Sequence, residues 1–326
     1  MCLLFFGILV LTLCPINTTQ KGCQTGNGIV QQTFGNVRPK PMNRNTTAVL
    51  PLRWYGRVGL VASVRIDGDD VESIVDTGSQ YLTVFDHECT SCGGGFDAYD
   101  VNPVSDTLGG WKQQFAGQIS HMKWFRGRLT LPPDTKATTV VRFGSVERVE
   151  TRQHASAPFM GLIKHHQEAD YRVSLLRQLP WVRSIVFDLV PGSPELRLSS
   201  RISPPNDAVK IDMLDTRGHR IGFYAVEAFD PETSIRYTAV IDTGTTGTAT
   251  SGFSIPRTIR IGSITLRSHH EIVPNIPVVG ASLPIVGQHP TLVLGLTWLW
   301  GREWHIIPDG PVLHVSESDV TETEEK

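Results

Sequence analysis

Residues 73–79 read Ser-Ile-Val-Asp-Thr-Gly-Ser, and residues 239–245 read Ala-Val-Ile-Asp-Thr-Gly-Thr. In each, an apolar, β-branched run breaks at an Asp into a Gly turn, the pattern of a buried strand that ends abruptly. β-Prone residues resume at once, Tyr81 to Phe85 after the first turn and Thr246 to Thr250 after the second. A single Asp-Thr-Gly is weak evidence, because Asp and Gly are ordinary turn residues. Two copies in the same context predict that matched turns deliver two carboxylates, Asp76 and Asp242, to one shared site.

Outward from these turns the texture stays the same. Short β-rich runs punctuated by Gly, Pro and Asp occur at Tyr55–Ile66, Val71–Val75, Tyr81–Phe85, Arg128–Leu131, Thr138–Val146, Ser184–Phe187 and Glu195–Leu198. This predicts an all-β fold. One helix is expected between Glu168 and Leu179, where Tyr171, Leu175, Leu176 and Leu179 recur at helical spacing until Pro180 ends it. Ser203-Pro204-Pro205-Asn206-Asp207 then interrupts the strand pattern and marks a lobe boundary. The second half repeats the order of the first: a β region from Val209 to Phe229, the Asp turn, strands from Ile259 to Leu266, and an apolar run into Gly295. The expected organisation is a signal peptide at 1–19, a linker or short pro-segment at 20–48, an N-terminal β lobe at 49–202, a shorter C-terminal β lobe at 203–316 and an acidic tail at 317–326.

Composition narrows the field. The chain has 326 residues, 30 basic and 32 acidic, and a net charge of −2, so nothing points to nucleic acid or to an anionic membrane surface. Cys2 to Cys14 is uncharged but too short for the roughly 20 helical residues that span a bilayer. It fits a secretory signal, hence a secreted or lumenal protein, with an uncleaved membrane anchor as the alternative. Asn17 and Asn45 open sequons, of which Asn45 is the better glycosylation candidate. Cys89 and Cys92 form a Cys-x-x-Cys before three glycines. A short loop disulfide is the favoured reading, against a redox pair or a zinc site.

Two carboxylates within hydrogen-bonding distance cannot both ionise cheaply, so they hold one proton between them. One can then act as base on a water while the other donates to a carbonyl oxygen, which adds water to an amide without a metal, a cofactor or a covalent intermediate. The neighbours have physical roles in such a site. Gly78 and Gly244 let the backbone turn tightly and bring amide N–H groups to each carboxylate. Thr77 and Thr243 carry hydroxyls that can bond across to the opposite turn, and Ser79 and Thr245 can each donate to the neighbouring Asp. Other chemistries lack their motifs: there is no Gly-x-Ser-x-Gly elbow, no phosphate-binding Gly-Lys-Ser/Thr loop and no His-Glu-x-x-His. The paired histidines His165-His166 and His269-His270 read as solvated.

Taken together, the two turns resemble those of the pepsin-like aspartic proteases, in which two β lobes each supply one Asp. Trp54 to Leu60 resembles the entry strand of that family, Phe159-Met160-Gly161-Leu162 and Leu292-Val293-Leu294-Gly295-Leu296 the apolar-Gly segments that back the Asp loops, and Trp304 to Asp309 the closing strands. The similarity covers residues 49 to 316. It implies a two-lobed fold with a few short helices and a cleft between the lobes, Asp76 and Asp242 as catalytic residues, and an acid-active, monomeric endopeptidase taking an extended polypeptide. The departures lie in the lid. The family's flap hairpin usually bears a Tyr, whereas Trp111 to Phe125 has none, leaving Trp111, Phe115 and Gly117 as flap or substrate-binding candidates. The Trp that usually follows the first Asp is replaced, with Thr83 near its place, and the second lobe is expected to lack a helix. These departures support an alternative, a catalytically weak or inactive homologue that binds or inhibits peptides or proteins.

Overall fold

Strands follow one another almost without helix in the computed structural model, so the fold is all-β. The structure describes residues 46–317 except 57, 93–94, 102–106, 116–117, 133–137, 152–156, 165–170, 217–221, 270–277, 282 and 284–287. The expected signal, the linker up to residue 45, the tail from residue 318 and Gly117 lie outside the described residues.

β1 (Thr47–Pro51) is followed by β2 (Arg53–Tyr55), β3 (Gly59–Ile66), β4 (Asp69–Asp76), β5 (Thr83–Phe85), β6 (Gly109–Phe115), β7 (Gln118–Thr130), β8 (Thr138–Thr151) and β9 (Phe159–Gly161). One helical turn, α1 (Leu175–Gln178), precedes β10 (Ser184–Asp188), β11 (Glu195–Ser199) and β12 (Val209–Asp212). Then come β13 (Ala225–Phe229), β14 (Arg236–Ile241), β15 (Thr248–Thr250), β16 (Thr258–Ile261), β17 (Ile264–Arg267) and β18 (Thr291–Leu294). They lead through α2 (Leu296–Leu299) to β19 (Arg302–Ile307) and β20 (Val312–Glu317).

β2 to β9 make an eight-stranded sheet, and β13 to β18 make a six-stranded sheet in the order β15-β18-β14-β13-β16-β17. The third sheet, β1-β11-β10-β19-β20-β12, draws on both halves of the chain. Its strands alternate, so Leu50, Leu196, Leu198, Ile185, Phe187, Trp304, Ile306, Leu313 and Val315 all face one apolar core. That core also holds Val75 and Leu162 beside the first Asp and Ile241 and Leu294 beside the second, so one packed interior supports both turns.

The same local topology occurs twice. β3 and β4 form a hairpin across Asp67-Gly68, both at positive φ (54° and 110°), the conformation a two-residue turn between twisted strands demands. β9 lies parallel to β4, with Asp76 opposite Gly161, and Leu82 bridges back antiparallel to Met160. In the second half β13 and β14 form the hairpin, β18 lies parallel to β14, and β15 runs antiparallel on the far side of β18. β4 is buried on both faces from Val71 to Asp76, so its polar Glu72 and Ser73 are enclosed as well and are satisfied by Arg53 and by the Thr83 carbonyl.

Three expectations need correction. β1 starts at Thr47, so the last residues assigned to the linker belong to a strand, paired along its length with β11. Within the described part of the predicted helix, 171–179, only Leu175–Gln178 is helical, and Leu175, Leu176 and Leu179 pack in the core. The second half does contain a helical turn, α2, directly after Gly295, with all four residues buried. Among the described residues no helix is long and apolar enough to cross a membrane.

Candidate active site

Each aspartate sits where its strand runs out against a parallel neighbour. Asp76 ends β4, and its carbonyl accepts the N–H of Leu162 just beyond β9 (2.8 Å). Asp242 follows β14, and its N–H donates to the carbonyl of Leu294 at the end of β18 (3.1 Å). The chain must then pass very close to the segment that backs it. A β-carbon at Gly161 would fall within 3.0 Å of the Gln80 and Tyr81 backbone, and one at Gly295 within 3.0 Å of the Thr245 carbonyl. Only glycine fits there, which explains the Gly in both apolar-Gly segments.

The two turns lock together through their threonines. Thr77 Oγ1 accepts the Thr243 N–H (3.0 Å) and donates to the Ile241 carbonyl (2.8 Å). Thr243 Oγ1 accepts the Thr77 N–H (3.1 Å) and donates to the Val75 carbonyl (2.9 Å). These four buried hydrogen bonds, each worth about 1 kcal/mol, satisfy every polar atom of both hydroxyls and fix the separation of the carboxylates. The glycines make the pair tighter still. A β-carbon on Gly78 would come 2.8 Å from the carboxylate carbon of Asp242, and one on Gly244 would collide with the carboxylate of Asp76.

Asp76 and Asp242 are 4% and 3% exposed, and their carboxyls hydrogen-bond each other. Burial, then the charge of Asp242, raises the Asp76 carboxyl well above its usual range against the pull of the Gly78 N–H. Burial likewise raises the Asp242 carboxyl, against hydrogen bonds from Asp76, Thr245 and the Gly244 N–H. The two carboxyls therefore hold one proton between them and titrate as a unit. Thr245 Oγ1 donates to Asp242 Oδ2 (2.9 Å) and the Gly244 N–H to Oδ1 (3.0 Å), while the Gly78 N–H donates to Asp76 Oδ1 (2.6 Å). Ser79 is 2% exposed, and its hydroxyl lies close enough to Asp76 to act as a donor that lowers that carboxyl, without the well-formed geometry of the Thr245–Asp242 bond.

Trp111 is half-buried, its ring edge-on to Tyr81 (5.7 Å between centroids) and 6.5 Å from that of Trp124, with the Arg172 guanidinium 4.6 Å above it. These contacts anchor the β6–β7 hairpin on the rest of its sheet. Phe115 ends β6, but its side chain lies outside the described residues. Thr83 Oγ1 accepts the Phe159 N–H (2.7 Å) and ties β5 to β9. Cys89 and Cys92 are joined by a disulfide. Among the described residues no group of three or more His, Cys, Asp or Glu could hold a metal ion.

Sequence reasoning missed one residue behind the pair. The Tyr224 hydroxyl donates to the Leu162 carbonyl (2.7 Å) while its own carbonyl accepts the Ile241 N–H (2.9 Å), so it braces the backs of both turns. Burial pushes its phenol far up, keeping it a neutral donor. Lys164, paired with Asp309 (2.6 Å), adds a second tie between the halves. A small recess of about 40 Å³ between Met213, Phe223, Tyr224, Pro308 and Pro311 lies near this brace, but neither aspartate lines it. No family model and no curated protein matches this chain.

Proposed function

We propose that this protein is an aspartic endopeptidase with the two-lobed architecture of the pepsin-like enzymes, one lobe built on β2–β9 and the other on β13–β18, with the cleft between them. The observation that carries the reading is the buried, hydrogen-bonded pair Asp76–Asp242 delivered by interlocked turns from two different sheets. A surface turn has no reason to bury two carboxylates against each other, since that arrangement costs stability and is sustained only by the surrounding frame.

The chemistry follows from the single proton that the pair holds. The ionised carboxylate takes a proton from a water as the water oxygen bonds to the scissile carbonyl carbon, and the protonated carboxyl gives its proton to the carbonyl oxygen. The tetrahedral intermediate then collapses: the carboxyl that took the water proton gives it to the amide nitrogen, the C–N bond breaks, and the other carboxylate takes a hydroxyl proton, so an acid and an amine leave and the pair again holds one proton. The four threonine bonds hold both carboxylates in register through these steps. An extended peptide backbone is the substrate the cleft would take, with apolar pockets setting preference. Activity requires one proton on the pair, so it falls as pH rises through the upper apparent value of the pair and again as pH drops through the lower one. A secreted or lumenal acidic setting suits that profile.

The test is hydrolysis of a denatured protein between about pH 3 and 6, with and without a statine-containing peptide that mimics the tetrahedral intermediate. Cleavage that the peptide suppresses is expected. Absence of cleavage across that range, with no peptide binding, would contradict the proposal.

A further inference from the structure

The face of β7 and β8 that buries Met122, Trp124 and Val146 does not stay apolar. Side chains alternate along a strand, so beyond Trp124 that face continues through Arg126 and Arg128 of β7 and, opposite them, Arg142 and Val140 of β8. Phe125, Val141 and Phe143, between them, point the other way into the core. Arg126 and Arg142 are direct cross-strand partners, which sets their β-carbons about 5 Å apart, and Arg128 follows about 7 Å along β7. Arg126 and Arg128 are exposed, and Val140 is 64% exposed.

Like charges directly opposite each other destabilise a sheet. Among the described residues no carboxylate pairs with Arg126, Arg128 or Arg142 to offset this. The acids of the sheet are committed elsewhere: Asp70 to Arg65, Glu72 to Arg53, Glu147 to Lys123 and Glu150 to Arg148. Asp67 accepts the Arg128 N–H (2.9 Å), but its carboxylate lies on the opposite face of β7, where a β-carbon at Gly127 would meet it at 2.6 Å. The backbone of Arg142 is held on its outer edge by α1, since Gln178 Nε2 donates to the Arg142 carbonyl (3.0 Å) and Oε1 accepts the Arg142 N–H (2.6 Å). The strand pair thus presents guanidinium groups at fixed intervals on a rigid frame, to the detriment of its own stability.

We propose that this face binds a linear sulfated glycan, whose sulfate and carboxylate groups are held by Arg126, Arg128 and Arg142. A guanidinium offers a planar fork of donors that matches both groups. Among the described residues the face carries no exposed aromatic ring on which a nucleic-acid base could stack, and Val140 alone is too little apolar surface to enter a bilayer. The Asp67 N–H donates to the Arg128 carbonyl (3.0 Å), which places the face at the β3–β4 turn, and β4 then runs about 20 Å to reach Asp76. The site is therefore separate from the aspartate pair and does not depend on the endopeptidase reading.

The test is calorimetric binding of heparin over a range of NaCl concentrations. The proteins compared are the wild type, the face variant Arg126→Thr/Arg128→Thr/Arg142→Thr, and Arg183→Thr/Arg257→Thr/Arg267→Thr, which loses the same charge at exposed positions elsewhere. At about 0.1 M salt the face variant should bind about a hundred-fold more weakly, with the slope of log K against log[NaCl] smaller by about 2 to 3, while the control loses about three-fold or less. Arg142→Thr alone should bind about five-fold more weakly and melt at the same or a higher temperature, because it relieves the like-charge pair with a β-prone residue. The proposal is overturned if the wild type does not bind heparin, if the face variant binds it as tightly as the wild type, or if the control loses as much as the face variant. Binding to phosphatidylserine vesicles or to polyglutamate without binding to heparin would give the face to a membrane or to an acidic protein segment, and overturns the proposal as well.

Discussion

The turn at Asp242 and the turn at Asp76 differ by one methyl group in their tetrapeptides, Asp-Thr-Gly-Thr against Asp-Thr-Gly-Ser, yet their hydrogen bonding differs in kind. Thr245 is β-branched, which restricts χ1, and its hydroxyl donates to Asp242. Ser79 has more rotamer freedom, and its hydroxyl makes no well-formed hydrogen bond. Asp242 thus has a well-formed side-chain donor beside it, where Asp76 has a looser one. The lesson is that a nearly symmetric frame can differentiate the surroundings of two identical carboxyls through one side chain per turn, with no change in the aspartates themselves.

The comparison can be broken most severely at the glycines. Gly244→Ala and Gly78→Ala each push a methyl into the opposite carboxylate, and should destabilise the fold by about 1–3 kcal/mol, Gly244→Ala the more, with hydrolysis lost in both. Equal effects would mean that the two approaches are not different. Thr77→Val and Thr243→Val each delete a hydroxyl that makes two cross-turn bonds, at a cost of about 2 kcal/mol in urea unfolding. Because both act on one network, the double variant should cost less than the sum. Thr245→Val should cost about 1 kcal/mol and raise the acidic limb of the pH–rate profile, since Asp242 loses a donor. Ser79→Ala should stay within about 0.5 kcal/mol of wild type, while Ser79→Thr should supply a better-formed donor and move the basic limb to lower pH. A cost for Ser79→Ala equal to that of Thr245→Val would remove the asymmetry.

Much of this site is legible in the linear sequence because it is built from local signals. Strand, Asp, Thr and Gly in a row dictate the turn, and two rows dictate the pair. The cross-turn role of Thr77 and Thr243 follows from the same logic, since a hydroxyl beside each Asp has only the other turn to meet. What is not legible depends on contacts between distant segments. Tyr224 meets Leu162 across 62 residues, with nothing in its own neighbourhood to announce it. The third sheet pairs β10 with β19, segments more than a hundred residues apart, so a boundary read from Ser203-Pro204-Pro205 could not anticipate strands shared by both halves. The helical spacing of Tyr171, Leu175, Leu176 and Leu179 was misleading for a different reason: the leucines satisfy the core through a single turn, and Tyr171 is committed to Gly109 and Gly110.

The most direct measurement is Asp76→Asn and Asp242→Asn, each assayed for hydrolysis of denatured protein at acidic pH and for thermal stability from pH 3 to 7. Both carboxyls are raised above the unfolded value of 3.8, so they cost the fold stability as pH climbs past that value and cost nothing below it. The account predicts that either variant loses about 10³–10⁴-fold in rate yet melts at a higher temperature than wild type at neutral pH, the gain vanishing below about pH 3.8. Full hydrolytic activity in either variant would contradict it.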